Sequence, residues 1–133
     1  MWVRCTVPGS TNKWINLDRV ACLRIGSGFS PRAILAEQDY PFSGNGAGVS
    51  EHVDLATAKA ALAALVKNQK QFVLSTYNGE CALNLEYVNQ LQVTGSGSAW
   101  QVGYGSAATL SLHATEAEAQ AAAEAVIGKR NLH

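Results

Sequence analysis

The sequence predicts an α+β fold: a tandem duplication of a ββββα unit, with antiparallel sheets, two helices and a pseudo-two-fold axis. Three observations predict it. Short apolar runs of strand character are separated by Gly- and Ser-rich stretches. Each half of the chain closes with one alanine-rich helical stretch. An irregular apolar spacing also occurs twice, at Ile15, Leu17, Val20, Leu23 and Ile25, and at Leu83, Leu85, Val88, Leu91 and Val93. A plain strand keeps a period of two throughout. The slip in the middle of both runs reads as two strand pieces joined by a kink.

The duplication divides a single domain, 1–133, into repeat one (1–68) and repeat two (69–133). Trp2–Thr6 overlays Phe72–Thr76 at an offset of 70, and Trp14–Ile25 overlays Ala82–Val93 at 68. Ser50–Val66 overlays Ser111–Ile127 at 61. Alanines aside, the identities are Val3/Val73, Thr6/Thr76, Asn16/Asn84, Leu17/Leu85, Val20/Val88, Leu23/Leu91, Ser50/Ser111 and His52/His113. They keep their order and local spacing, and the offsets change only between blocks.

In order, repeat one has strands near Trp2–Val7, Lys13–Ile25 (kinked), Arg32–Gln38 and Gly48–Val53, then a helix near Leu55–Lys67. Repeat two has strands near Phe72–Tyr77, Cys81–Val93 (kinked), Trp100–Tyr104 and Thr109–Leu112, then a helix near Glu116–Ile127. Asn16 and Asn84 stand just before the kinks, where an Asn side chain can bond the backbone two residues on. Asp54 and Thr115 occupy equivalent N-cap positions, and Thr115 with Glu118 spells a capping box. Gly128 and, more weakly, Asn68 are stop signals. Lys67, Lys129 and Arg130 fall where the helix dipole favours cations. The first helix carries a firm stripe of Leu55, Leu62, Leu65 and Val66, whereas the second offers mostly alanine, which buries little area but permits close approach. The glycine clusters at GSGFSP, SGNGAG, TGSGSA and GYGSA read as hairpin connections. SGNGAG lacks the GxGxxG spacing and precedes a strand, so it forms no phosphate cradle.

Composition narrows the function. The 133 residues hold ten Lys and Arg against ten Asp and Glu. With 47% hydrophobic residues the chain is too apolar for disorder. It lacks the bulk basic charge of a nucleic-acid binder, and no apolar run is long enough for a membrane helix. The neutrality is a sum of unequal halves: repeat one carries a net of plus two and repeat two a net of minus two. Such halves fit head-to-tail contact between repeats or subunits. The three cysteines, Cys5, Cys22 and Cys81, form no CxxC pair, and no signal peptide is read at the N-terminus. The expectation is a cytoplasmic protein with free thiols.

His52 and His113 are the leading ligand-binding candidates. They sit at equivalent positions before each helix, on the same strand side as Ser50 and Ser111. The reading set against this is structural: a histidine bonding the entry to its helix. No metal-ligand spacing, nucleophile motif or cofactor fingerprint accompanies them, so neither a cofactor nor catalysis is expected. A second candidate is an interaction surface of Trp2, Phe72 and Leu74 with Arg4 and Arg24. These aromatic and apolar residues occupy the strand face that a solvated sheet would keep polar. The expected function is therefore a small non-enzymatic binding or interaction protein acting as a homodimer, with a small molecule or protein as possible further partner. The alternatives are a small-molecule site or unrecognised enzyme near His52 and His113, and single-strand nucleic-acid binding through Trp2, Arg4 and Arg24. The element order resembles the layout of the Pur-alpha and Whirly single-strand-binding families. The resemblance is one of layout, without their motifs, and implies binding of single strands by charge and aromatic stacking.

Overall fold

The computed structural model describes residues 1–26, 31–38, 46–88, 90–104 and 108–128. It is mixed α+β, with antiparallel sheets and two helices. The strands are β1 (Trp2–Arg4), β2 (Trp14–Asn16), β3 (Cys22–Ile25), β4 (Arg32–Glu37) and β5 (Ala47–His52), followed by helix α1 (Leu55–Val66). Then come β6 (Phe72–Leu74), β7 (Cys81–Asn84), β8 (Gln92–Ser96), β9 (Ala99–Tyr104) and β10 (Ala108–His113), followed by α2 (Glu116–Gly128). Expected features within 27–30, 39–45, 89, 105–107 and 129–133, including parts of three glycine loops, Lys129, Arg130 and His133, lie outside the described residues.

The doubled spacing has a physical cause. In the first run a single 3-10 turn, Leu17–Arg19, separates β2 from β3. The Asn16 side chain accepts the Asp18 N–H at 3.1 Å, and Asn84 accepts the Glu86 N–H at 3.0 Å. Each asparagine thus caps its turn. Because the chain bends there, Leu17 and Val20 point into one core, whereas Leu85 and Val88 pack against another.

The strands form three sheets: β5-β4-β3-β7-β6, β10-β9-β8 and the ribbon β1-β2. Pairing registers recur between the halves. Trp2, Val3 and Arg4 face Asn16, Ile15 and Trp14, while Phe72, Val73 and Leu74 face Asn84, Leu83 and Ala82. The β4–β5 ladder skips Val49 and the β9–β10 ladder skips Leu110. At these bulges the Val49 carbonyl accepts the Thr6 N–H and the Leu110 carbonyl accepts the Thr76 N–H, at 2.8 and 2.7 Å. β3 pairs with β7, so the central sheet takes strands from both halves, whereas β2 and β8 lie in separate sheets.

The main core lies between α1 and the five-stranded sheet. Leu62 and Ala58 are fully buried there with Leu23, Ile34, Phe72 and Ala82. Asp54 starts α1 by accepting the Thr57 N–H at 2.8 Å, and the Thr115 hydroxyl starts α2 by accepting the Glu118 N–H at 3.2 Å. Under α2 the core is small: Ala119 and Ala123 meet Val102, with Val93 and Trp100 at its margin. Among the described residues no helix is long and apolar enough to cross a membrane.

Candidate functional site

Among the described residues, the most exposed aromatic surface is the β1–β2 ribbon. Alternation along two short strands divides it into faces. Val3 and Ile15 turn inward and pack against the main core. Trp2, Arg4 and Trp14 turn outward, with Trp2 67% and Trp14 55% exposed. Arg4 stands directly opposite Trp14, and its guanidinium carbon lies 5.4 Å from the indole centroid. Arg4 Nε also donates to the Thr11 carbonyl at 2.7 Å, which fixes the guanidinium over the ring. Such a cation–π pair leaves one face of the cation and much of the indole open to a partner.

The ribbon is held in place. The N-terminal amine pairs with Asp18 Oδ2 at 2.7 Å, and Asp18 Oδ1 accepts from Gln71 at 3.0 Å. The Leu17 N–H donates to the Met1 carbonyl at 2.8 Å, and Gln69 reaches the Met1 sulfur. The outward face is therefore presented on a fixed ribbon, not on a loose strand.

The expected interaction surface divides in the structure. Trp2 and Arg4 are exposed on the ribbon. Phe72 is buried and Leu74 half-buried against the main core, and both line a groove beside β6 and not the outward face of the ribbon. Arg24 belongs to the central strand β3, opposite Cys81, and not to the ribbon. Trp14 completes the exposed face, and sequence reasoning missed it. Its signal is the sequence overlay, which sets Trp14 against Ala82: a large aromatic where the other half of the chain carries alanine.

The histidines sit at equivalent places in the two halves. His52 Nε2 and Ser50 Oγ are 2.7 Å apart, and His113 Nε2 and Ser111 Oγ are 2.8 Å apart. In each case the bond stays within one strand, on the outer strand of a separate sheet. A Ser-His contact is one part of a hydrolytic site, which also needs an orienting acid and an oxyanion cradle. No cluster of His, Cys, Asp or Glu fit for a metal occurs among the described residues.

An open groove of about 890 Å³ lies elsewhere, between edge strand β6 and the end of α2. It is lined by Lys70, Phe72, Val73, Leu74, Glu86, Ala125 and Val126. It contains neither histidine, and no local pattern signals it, because it brings β6 to a helix more than forty residues away. The cysteines are buried free thiols. Burial, and then the neighbouring Cys81, push the Cys22 thiol well above its ordinary value. Burial pushes Cys81 up to about 11, against the opposing pull of Arg24. Both stay protonated and non-nucleophilic at neutral pH.

No protein family, no curated protein and no solved structure matches the chain. The site is therefore read from its own chemistry.

Proposed function

We propose that this is a small, non-enzymatic binding protein of the cytoplasm that works as a homo-oligomer through the outward face of its ribbon. One observation carries the reading: Trp2 and Trp14 stand open to water on a ribbon whose other face is anchored in the core. Exposed aromatics of this size, fixed and flanked by an arginine, have the composition of an interface centre. Three buried thiols suit a reducing compartment. The recurring registers, bulges and caps support descent of the two halves from one duplicated unit. Sedimentation equilibrium tests the reading: a dimer of the 14.1 kDa chain is expected at micromolar concentration, and a monomer there removes self-association.

One observation favours a second reading. Two indoles and a guanidinium on one open face can stack bases, as single-strand binders do. That reading requires oligonucleotide binding that weakens with salt. Absence of binding at low salt removes it.

A further inference from the structure

The structure points to how two copies join, and this inference rests on the self-association proposed above. We infer that β2 of one copy pairs with β8 of a second copy, and reciprocally, so that the second copy's α2 covers Trp2 and Trp14.

The first argument is register. β3 and β7 pair as Cys22↔Leu83, Leu23↔Ala82 and Arg24↔Cys81. The repeat equivalents of β3 and β7 are β8 and β2. Moving the register across by the 68-residue offset pairs Gln90 with Ile15, Leu91 with Trp14 and Gln92 with Lys13, so the contact joins the start of β2 to the residues that lead into β8. In one chain these edges are not joined: β2 pairs with β1, β8 with β9, and the two sheets are separate. Among the described residues each chain thus offers one β2 edge and one β8 edge without a strand partner, a self-complementary set that a two-fold axis closes.

The second argument is volume. Phe72 and Ala82 lie in the core beneath α1, which meets them with the fully buried Leu62. Their counterparts on the ribbon are Trp2 and Trp14, and the counterpart of Leu62 on α2 is Ala123. The contrast lies at one position: Ala82 sits in the core with Leu62, whereas its counterpart Trp14 matches a helix that carries Ala123 in place of Leu62. Within its own chain the alanine face of α2 rests on Val102, with Val93 and Trp100 at its margin, while Trp2 and Trp14 stay exposed outside that contact.

The third argument is charge. The ribbon strands and the turn between them carry Arg4 and Lys13 and no acid, while α2 carries Glu116, Glu118 and Glu124 and no base. Ribbon against α2 is an attractive pairing, and ribbon against ribbon a repulsive one.

Chains carrying Lys13→Cys are mixed with chains carrying Gln92→Cys, oxidised mildly and resolved without reductant. Both positions are exposed, and the native thiols are buried. A covalent dimer is expected, while Lys13→Cys mixed with Ser96→Cys stays uncoupled. The double variant Lys13→Cys/Gln92→Cys is expected to link chain to chain. An internal link within a monomer overturns the inference in favour of closure within one chain. A dimer by sedimentation without the cross-link overturns the pairing and leaves self-association standing. A monomer throughout overturns both.

Discussion

Replacing Leu62 with Ala is the sharpest test of the packing on which the site is built. Leu62 is fully buried at the centre of α1, above the sheet that contains Phe72 and Ala82. The change deletes three carbons, worth roughly 2.4 kcal/mol at about 0.8 kcal/mol per buried methylene. The cavity left behind raises the cost to about 3–4 kcal/mol, because a helix clamped on five strands collapses only partly. For a domain of this length that lowers Tm by roughly 10–15 °C. Urea unfolding followed by far-UV circular dichroism measures the loss, with Leu112→Ala as control. Leu112 is 51% exposed, so its truncation is expected to cost within about 0.5 kcal/mol. A Leu62→Ala loss below about 1 kcal/mol, or one no larger than the control, refutes the placement of α1 over the joined sheet.

Four further outcomes are expected. Asp54 holds its carboxyl below the usual value of 3.8 by accepting the Thr57 N–H. Its folded-state pKa is depressed, so its contribution is complete above 3.8 and fades as pH falls through the folded value; the stability gap between native protein and Asp54→Ala should shrink in acid. A gap that is constant with pH contradicts the cap. Ellman's reagent at pH 8 should leave Cys22 and Cys81 unmodified in the native protein and react once urea unfolds it; rapid native reaction means the thiols are not sealed. Asn84→Ala removes one of two donors to the Leu17 carbonyl, which keeps the Val20 N–H, and uncaps the following turn, at a cost of about 1–3 kcal/mol by urea titration. Near-zero loss argues against the cap. Gly95→Ala should destabilise more than Gly97→Ala. A Cβ at Gly95 would come within 2.2 Å of the Ala99 carbonyl oxygen, whereas one at Gly97 meets nothing within 4 Å. Equal losses would mean that backbone conformation alone sets the cost.

Much of the fold is legible because its signals are local. The two-three-three-two spacing marks the kinked strands, the Asn before each kink marks its cap, and Asp54 and Thr115 mark the helix starts. Strand lengths are less legible. Trp2–Val7 reads as one strand, but β1 stops at Arg4, and Thr6 turns to the Val49 carbonyl across the bulge. The order β5-β4-β3-β7-β6 is out of reach, since β3 and β7 are far apart in the chain and no local pattern encodes their pairing. That missing contact is also why Phe72 reads as a surface residue. On its own strand it matches Trp2, and only the joining of β3 to β7 slides it beneath α1. The histidines are legible as a pair of equivalents, but nothing in the spacing shows whether two such positions face each other.

Trp2 and Trp14 form the proposed interface. Sedimentation velocity across a dilution series, run on the native protein and on Trp2→Ser/Trp14→Ser, tests it most directly. Both indoles are exposed in the single chain, so the double variant should keep its circular dichroism and fold. The native protein should run as a dimer that dissociates on dilution, and the variant as a monomer at every concentration. A variant that is folded and still dimeric contradicts the claim.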